Sequence, residues 1–175
     1  MNSEFIRGLT RCTSQNIERF TLSLQCNLSP PKIDMSSSGI NCDEIIKFII
    51  ALENNTSLKK LDISLNPIRD DGLNQLRYSL SHNTSLTELN MLYISASNNA
   101  IVNFIKSLEY NTTIKILHIG KAYYYEEINN AIVSMLEKNF TIEQIRGVKI
   151  SGIEKILSQE NREIRRRFYS MKPSN

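Results

Sequence analysis

Cysteines, histidines and carboxylates are the residues in this chain best equipped for chemistry, and their spacing points away from most of it. Cys12, Cys26 and Cys42 are widely spaced, an odd count without a Cys-x-x-Cys pair. That pattern predicts reduced thiols in a cytoplasmic setting rather than a disulfide framework. His82 and His118 form no His-x-x-x-His pair, so the sequence predicts no zinc site. Cys42-Asp43-Glu44 sets a thiol beside carboxylates, but a nucleophile needs a base to activate it, and none accompanies this one. No glycine-rich phosphate loop and no serine-centred catalytic signature occurs. The expectation is a protein that is not an enzyme and needs no cofactor or small-molecule substrate.

Composition narrows the class further. Apolar residues are 41% of 175 and charged residues 22%, ordinary values for one folded domain. The longest apolar stretch, 45–52, is interrupted by Lys47, far short of the run of about 18 that spans a bilayer. Glu4 and the absence of an apolar block after Arg7 do not read as a secretory signal. A net charge of +3 does not by itself imply nucleic acid. The basic cluster Arg162, Arg165, Arg166, Arg167 and Lys172 is interrupted by Glu163, with Glu160 just before it, and suits the negative end of a helix dipole.

The elements that would position any site are announced by a repeat. Asn55-Thr56-Ser57-Leu58 recurs as Asn83-Thr84-Ser85-Leu86, Asn111-Thr112-Thr113-Ile114 and Asn139-Phe140-Thr141-Ile142, always at the interval that separates Asn55 from Asn83. Leu61 and Ile63 recur as Leu89 and Met91, then as Leu117 and Ile119, with Ile145 following and Ile33 and Met35 preceding. Within each unit the apolar period changes from 2 to about 3.6, which predicts a strand followed by a helix. Strands are expected near 32–36, 60–64, 88–92, 116–120 and 144–148, parallel to one another. All four Asn positions fit the glycosylation pattern, but they recur because the repeat demands Asn before its strand.

The string Leu58-x-x-Leu61-x-Ile63-x-x-Asn66-x-Ile68-x-x-x-Gly72-x-x-x-Leu76-x-x-x-Leu80-x-x-Asn83 resembles the ribonuclease-inhibitor-like class of leucine-rich repeats. The resemblance covers roughly residues 27–150. It implies an α/β solenoid: a right-handed β-α horseshoe with a parallel sheet on its concave face and helices on its convex face. The class includes enzyme inhibitors, GTPase regulators and actin-capping proteins, so it implies a protein partner without choosing one. Only Asn66 fills the usual asparagine position of the turn, where Ser38, Ile94 and Ala122 stand in other units, so other groups must satisfy the backbone there.

Open solenoids need capped ends. Ile17, Phe20 and Leu24 lie one full repeat before Ile45, Phe48 and Leu52, making 1–31 an N-terminal cap with a degenerate first unit. Repeats fill 32–150, and Ile153, Ile156, Leu157 and Ile164 stripe a capping helix within 151–175 that resembles the end of tropomodulin-type repeat domains. The whole is read as one monomeric domain.

Strand parity then assigns the partner surface. Alternate residues project from the concave sheet: Lys32, Asp34 and Ser36; Lys60, Asp62 and Ser64; Glu88, Asn90 and Leu92; Ile116, His118 and Gly120; Gln144, Arg146 and Val148. Exposed Leu92, Ile116 and Val148 would be a contact surface in the later units. Tyr123-Tyr124-Tyr125 follows the fourth strand; register places Tyr124 in the core and turns Tyr123 and Tyr125 outward near Tyr93, an aromatic group of the type enriched at interfaces. The candidate partner-binding residues are therefore Leu92, Tyr93, Ile116, His118, Tyr123, Tyr125 and Arg146. The alternative assignments are an actin-binding or filament-capping module and a regulator of a small GTPase or ribonuclease.

Overall fold

In the computed structural model, residues 11–40, 42–120 and 126–148 are described. They alternate strictly between helix and strand: α1 (Ile17–Gln25), β1 (Lys32–Asp34), α2 (Cys42–Leu52), β2 (Lys60–Asp62), α3 (Arg69–His82), β3 (Glu88–Leu92), α4 (Asn98–Ser107) with a short 3₁₀ turn (Leu108–Tyr110), β4 (Ile116–Gly120), α5 (Glu126–Lys138) and β5 (Gln144–Arg146). The strands form one sheet in the order β1-β2-β3-β4-β5. Every pairing is parallel and offset by one repeat: Ile33 faces Leu61, Leu61 faces Leu89, Leu89 faces Leu117 and Leu117 faces Ile145.

This register follows from what each unit must bury. The inward strand residues stack into one ladder that meets the helical stripes Phe20 and Leu24, Phe48 and Leu52, Leu76 and Leu80, and Ile132 and Leu136, all buried. Each such side chain contributes about 1.5–3 kcal/mol by leaving water. A slip of one residue would turn every strand's apolar set to solvent. α1 lies where the degenerate first unit was expected, and an isolated parallel bridge between Arg11 and Asp34 precedes β1 on the sheet.

The recurrent asparagine now has a physical cause. The Asn83 side-chain amide donates to the carbonyls of Leu52 (2.7 Å) and Asn55 (2.9 Å) in the preceding unit, while its Oδ1 accepts the amides of Ser85 and Leu86. Asn139 repeats the arrangement against Leu108 and Asn111, and Asn55 against Leu24. Each side chain closes its own turn and ties the unit to its neighbour, satisfying backbone groups that would otherwise be buried unpaired. Nδ2, the atom a glycan would modify, is spent in these bonds.

At the other turn Asn66 donates to Met35, Ile63 and Ser64 carbonyls. Its counterparts solve the problem differently: the Ser38 hydroxyl reaches the Met35 carbonyl at 2.5 Å, and Ile94 is simply buried. Two details differ from the sequence reading. β1 and β2 end two residues early, at Asp34 and Asp62, each of which takes the amide of the serine two positions on, at 2.9 Å. β5 ends early at Gly147, whose φ of 86° leaves the extended region. The expected capping helix within 151–175 and the Tyr123-Tyr124-Tyr125 segment lie outside the described residues.

A candidate interaction face on the concave sheet

Strand pairing lines the concave side chains up in three rows across the sheet. The middle row runs Asp34, Asp62, Asn90, His118, Arg146, each opposite the next. It passes from carboxylates through an amide to an imidazole and a guanidinium. The first row begins with Lys32 and Lys60, continues through Glu88, and ends with Ile116 and Gln144. The two rows therefore carry opposite signs at the β1–β2 end.

That end is largely self-satisfied. Asp34 Oδ1 holds the Ser36 amide and hydroxyl, and Arg11 donates to Asp34 Oδ2 at 3.1 Å. Burial works to raise the Asp34 pKa, but the bonds from Ser36 and Arg11 outweigh it and hold the carboxyl below its usual range. Asp62 repeats the turn with Ser64 and accepts from Asn90 at 2.7 Å.

Glu88 joins this end to the next. Its Oε2 lies 2.7 Å from Lys60 Nζ and its Oε1 3.6 Å from His118 Nε2. The Lys60 bond, opposed by partial burial, keeps Glu88 ionised below the ordinary range. His118 is half-buried; burial and then Arg146 push its pKa down, against the pull of Glu88 and Asp62. At 3.6 Å the Glu88 contact is electrostatic rather than a hydrogen bond, and buried His118 Nε2 has no hydrogen-bond partner among the described residues. His118 lines a hollow of about 390 Å³ walled by Lys32, Lys60, Asp62, Glu88 and Asn90.

The candidate residues that are described do come together, since β3, β4 and β5 are neighbours. Their exposure differs from expectation. Leu92, Ile116 and Val148 are half-buried rather than exposed. Leu92 has a structural reason: a Cβ on Gly147 would lie 2.2 Å from Leu92 Cδ2, so the leucine lies over backbone that only glycine leaves open. The carbonyl of Gly147 approaches Gly120 so closely that a Cβ there would sit 2.2 Å from it. Tyr93 is exposed and has φ 56°, as do Leu65 (56°) and Ser37 (47°) one and two units earlier. Three left-handed residues at one register form a rim along the strand ends. Arg146 is exposed and donates to Gln144 at 2.8 Å.

Of the candidates that are described, His118 alone lines the hollow, which otherwise draws on β1–β3 and the residues just before them. Glu88 and Lys60 were the residues that sequence reasoning left out of the site. The available signal was the change of sign along the first row, Lys32 to Lys60 to Glu88.

These elements define a leucine-rich-repeat fold, with a parallel strand ladder on one side and helices on the other. A family model described as "Leucine Rich repeat" matches residues 54–75, and comparison of the sequence with curated proteins finds no match. Among solved structures, the chain resembles "Leiomodin-1 Actin-Binding Site 2 (ABS2)" with a TM-score of 0.71 and 18% identity, over 87% of this chain and 94% of that one. It also resembles the tropomodulin C-terminal domain of Caenorhabditis elegans, with a TM-score of 0.70 and 14% identity, over 88% and 89%. The tropomodulin-like resemblance is thus one of architecture. Among the described residues no cluster could hold a metal ion and no helix is long and apolar enough to cross a membrane.

Proposed function

We propose that the chain is a non-enzymatic interaction module that engages a protein partner through its concave sheet and the adjoining loops. The observation that supports this reading best is the graded middle row, in which buried His118 Nε2 stands beside a hollow without a hydrogen-bond partner among the described residues. A solenoid offers such a row on a rigid surface, so little ordering cost opposes association. The partner contact centres on Leu92, Tyr93, Ile116, His118, Tyr123, Tyr125 and Arg146, with the protein acting as a monomer in the cytoplasm. Affinity capture followed by mass spectrometry names the partner. Tyr123→Ala and Tyr125→Ala should then each cost about 2 kcal/mol of binding with little change in melting temperature, as aromatic anchors do. Unchanged affinity with both removed would move the contact elsewhere.

A second reading is favoured by a specific observation, the near-complete overlap with a domain titled an actin-binding site. In this reading the partner is actin. Co-sedimentation with filaments, together with the rate of filament growth from capped and uncapped ends, tests it. No change in either measurement leaves the first reading alone.

A further inference from the structure

Two groups compete for one carboxylate at the concave hollow. Glu88 Oε2 holds Lys60 Nζ at 2.7 Å, whereas Oε1 stops 3.6 Å from His118 Nε2, too far for a hydrogen bond. The competitors differ in exposure: the Lys60 side chain is 54% exposed and that of His118 15%, with Nε2 itself sealed from solvent. Water can therefore solvate the Lys60 ammonium if the carboxylate leaves. It cannot do the same at His118 Nε2. A charge taken out of water must be paired, so an imidazolium here needs Glu88 more than Lys60 does.

The surroundings leave Glu88 as the group that can answer such a charge. Opposite His118 on β3 is Asn90, which is neutral and gives its amide to Asp62 Oδ2 at 2.7 Å. Opposite it on β5 is Arg146, whose charge opposes a second cation. Asp62, two strands away on β2, attracts an imidazolium, but its oxygens already hold Ser64 and Asn90. Lys115 and Glu143, just before β4 and β5, hold each other at 3.2 Å. The arrangement seen, with Lys60 held and His118 not, is that of an uncharged imidazole. Lys32 lies opposite Lys60 in the same row and lines the same hollow.

We propose that Glu88 is a proton-controlled latch on the concave hollow: with His118 neutral it holds Lys60, and with His118 protonated it closes on Nε2 and frees the Lys60 ammonium beside Lys32. Burial, and then Arg146, keep His118 neutral until the pH falls below its ordinary 6.5, so the latch moves on acidification. The hollow then presents two ammoniums, Lys32 and Lys60, with no carboxylate on either among the described residues. On the reading of the concave sheet as the partner surface, on which this consequence rests, a partner carboxylate at the hollow binds more tightly in acid and a partner cation less tightly.

Nuclear magnetic resonance of the full chain, titrated with acid, tests the latch. The chain has two histidines, and His118→Gln assigns their imidazole signals. In the unsubstituted chain the Lys60 Nζ resonance should shift with the same midpoint as the His118 imidazole, because one carboxylate serves both. Glu88→Gln should lower the His118 midpoint and make the Lys60 resonance indifferent to the His118 titration. Lys60→Met should raise the midpoint, since Glu88 is then uncontested, and the rise should vanish when the two substitutions are combined. A Lys60 resonance that ignores the His118 titration in the unsubstituted chain would overturn the proposal, whatever the variants do to folding, since Glu88 would then serve both groups at once or Lys60 alone. So would an equal rise from Lys60→Met with and without Glu88, which is the loss of a nearby positive charge rather than of a competitor. No partner enters these titrations, so the latch succeeds or fails independently of where a partner binds.

Discussion

The two ends of the concave sheet are built from the same repeat and reach different states. Across β1 and β2 an aspartate at the middle position binds the serine two positions on, and the exposed carboxylate oxygens are answered by Arg11 and Asn90. Across β4 and β5 the aspartate has become His118 or Arg146 and the serine has become Gly120 or Val148. The local lock is gone, backbone contact between two glycines replaces it, and a buried imidazole nitrogen is left without a hydrogen bond among the described residues. Fold and surface thus separate: the apolar ladder continues along the solenoid, while the polar row above it is free to vary.

The largest expected effects test the shared scaffold. Asn83→Ala removes two donated and two accepted bonds at a buried site and should lower unfolding free energy by about 3 kcal/mol or more. Asn111 is half-buried; it accepts the Thr113 and Ile114 amides as Asn83 accepts its pair, but its longer donated bond to Leu80, at 3.2 Å, should make Asn111→Ala the less costly by about 1 kcal/mol. Chemical denaturation measures both, and equal losses would show that the ladder is uniform rather than tighter near β3.

Gly120→Ala ranks next. Its Cβ would meet the Gly147 carbonyl at 2.2 Å, so about 1–3 kcal/mol of destabilisation is expected from overpacking. Ser36→Ala, at the other end of the same row, loses two partly exposed hydroxyl bonds, one donated to Asp34 and one accepted from Arg11, and should cost about 1 kcal/mol. An unaffected Gly120→Ala would mean that the β4–β5 backbone relaxes apart easily.

pH separates the two ends by window. The folded pKa of His118 lies below its ordinary value of 6.5, so the unfolded chain protonates first and stability falls as pH drops below about 6.5. Asp34 and Glu88 are lowered from 3.8 and 4.5, so their contributions persist until pH falls below those values. His118→Gln should flatten the melting-temperature profile in the upper window and spare the lower one. A profile unchanged by the substitution would remove His118 as the source. The smallest effect is expected at Arg11→Ala, where a half-exposed ion pair contributes under about 1 kcal/mol.

Burial reinforces one expectation about reactivity. Cys12 is fully buried and its thiol is pushed up to about 12, by burial first and then by Glu44, whereas Cys26 is exposed. A thiol reagent at neutral pH should label Cys26 in the native protein and Cys12 only after unfolding. Native labelling of Cys12 would place the first unit outside the cooperative core.

The repeat itself was legible because its causes are local and periodic. Inward strand residues, helical stripes and the capping asparagines each follow from a constraint that recurs once per unit, so Ile33, Leu61 and Asn83 announce their roles by position. Register followed too, since one frame alone buries all five strands. What the spacing did not reveal was how far side chains outside the core are covered. Leu92 is concave by parity yet half-buried, because Gly120 and Gly147, on different units of the chain, let backbone come beneath it. Glu88 became the link between Lys60 and His118 only when three strands lay side by side. Periodicity along the chain determines which face each residue joins; contact between neighbouring units, set by the size and charge of particular side chains, decides what that face presents.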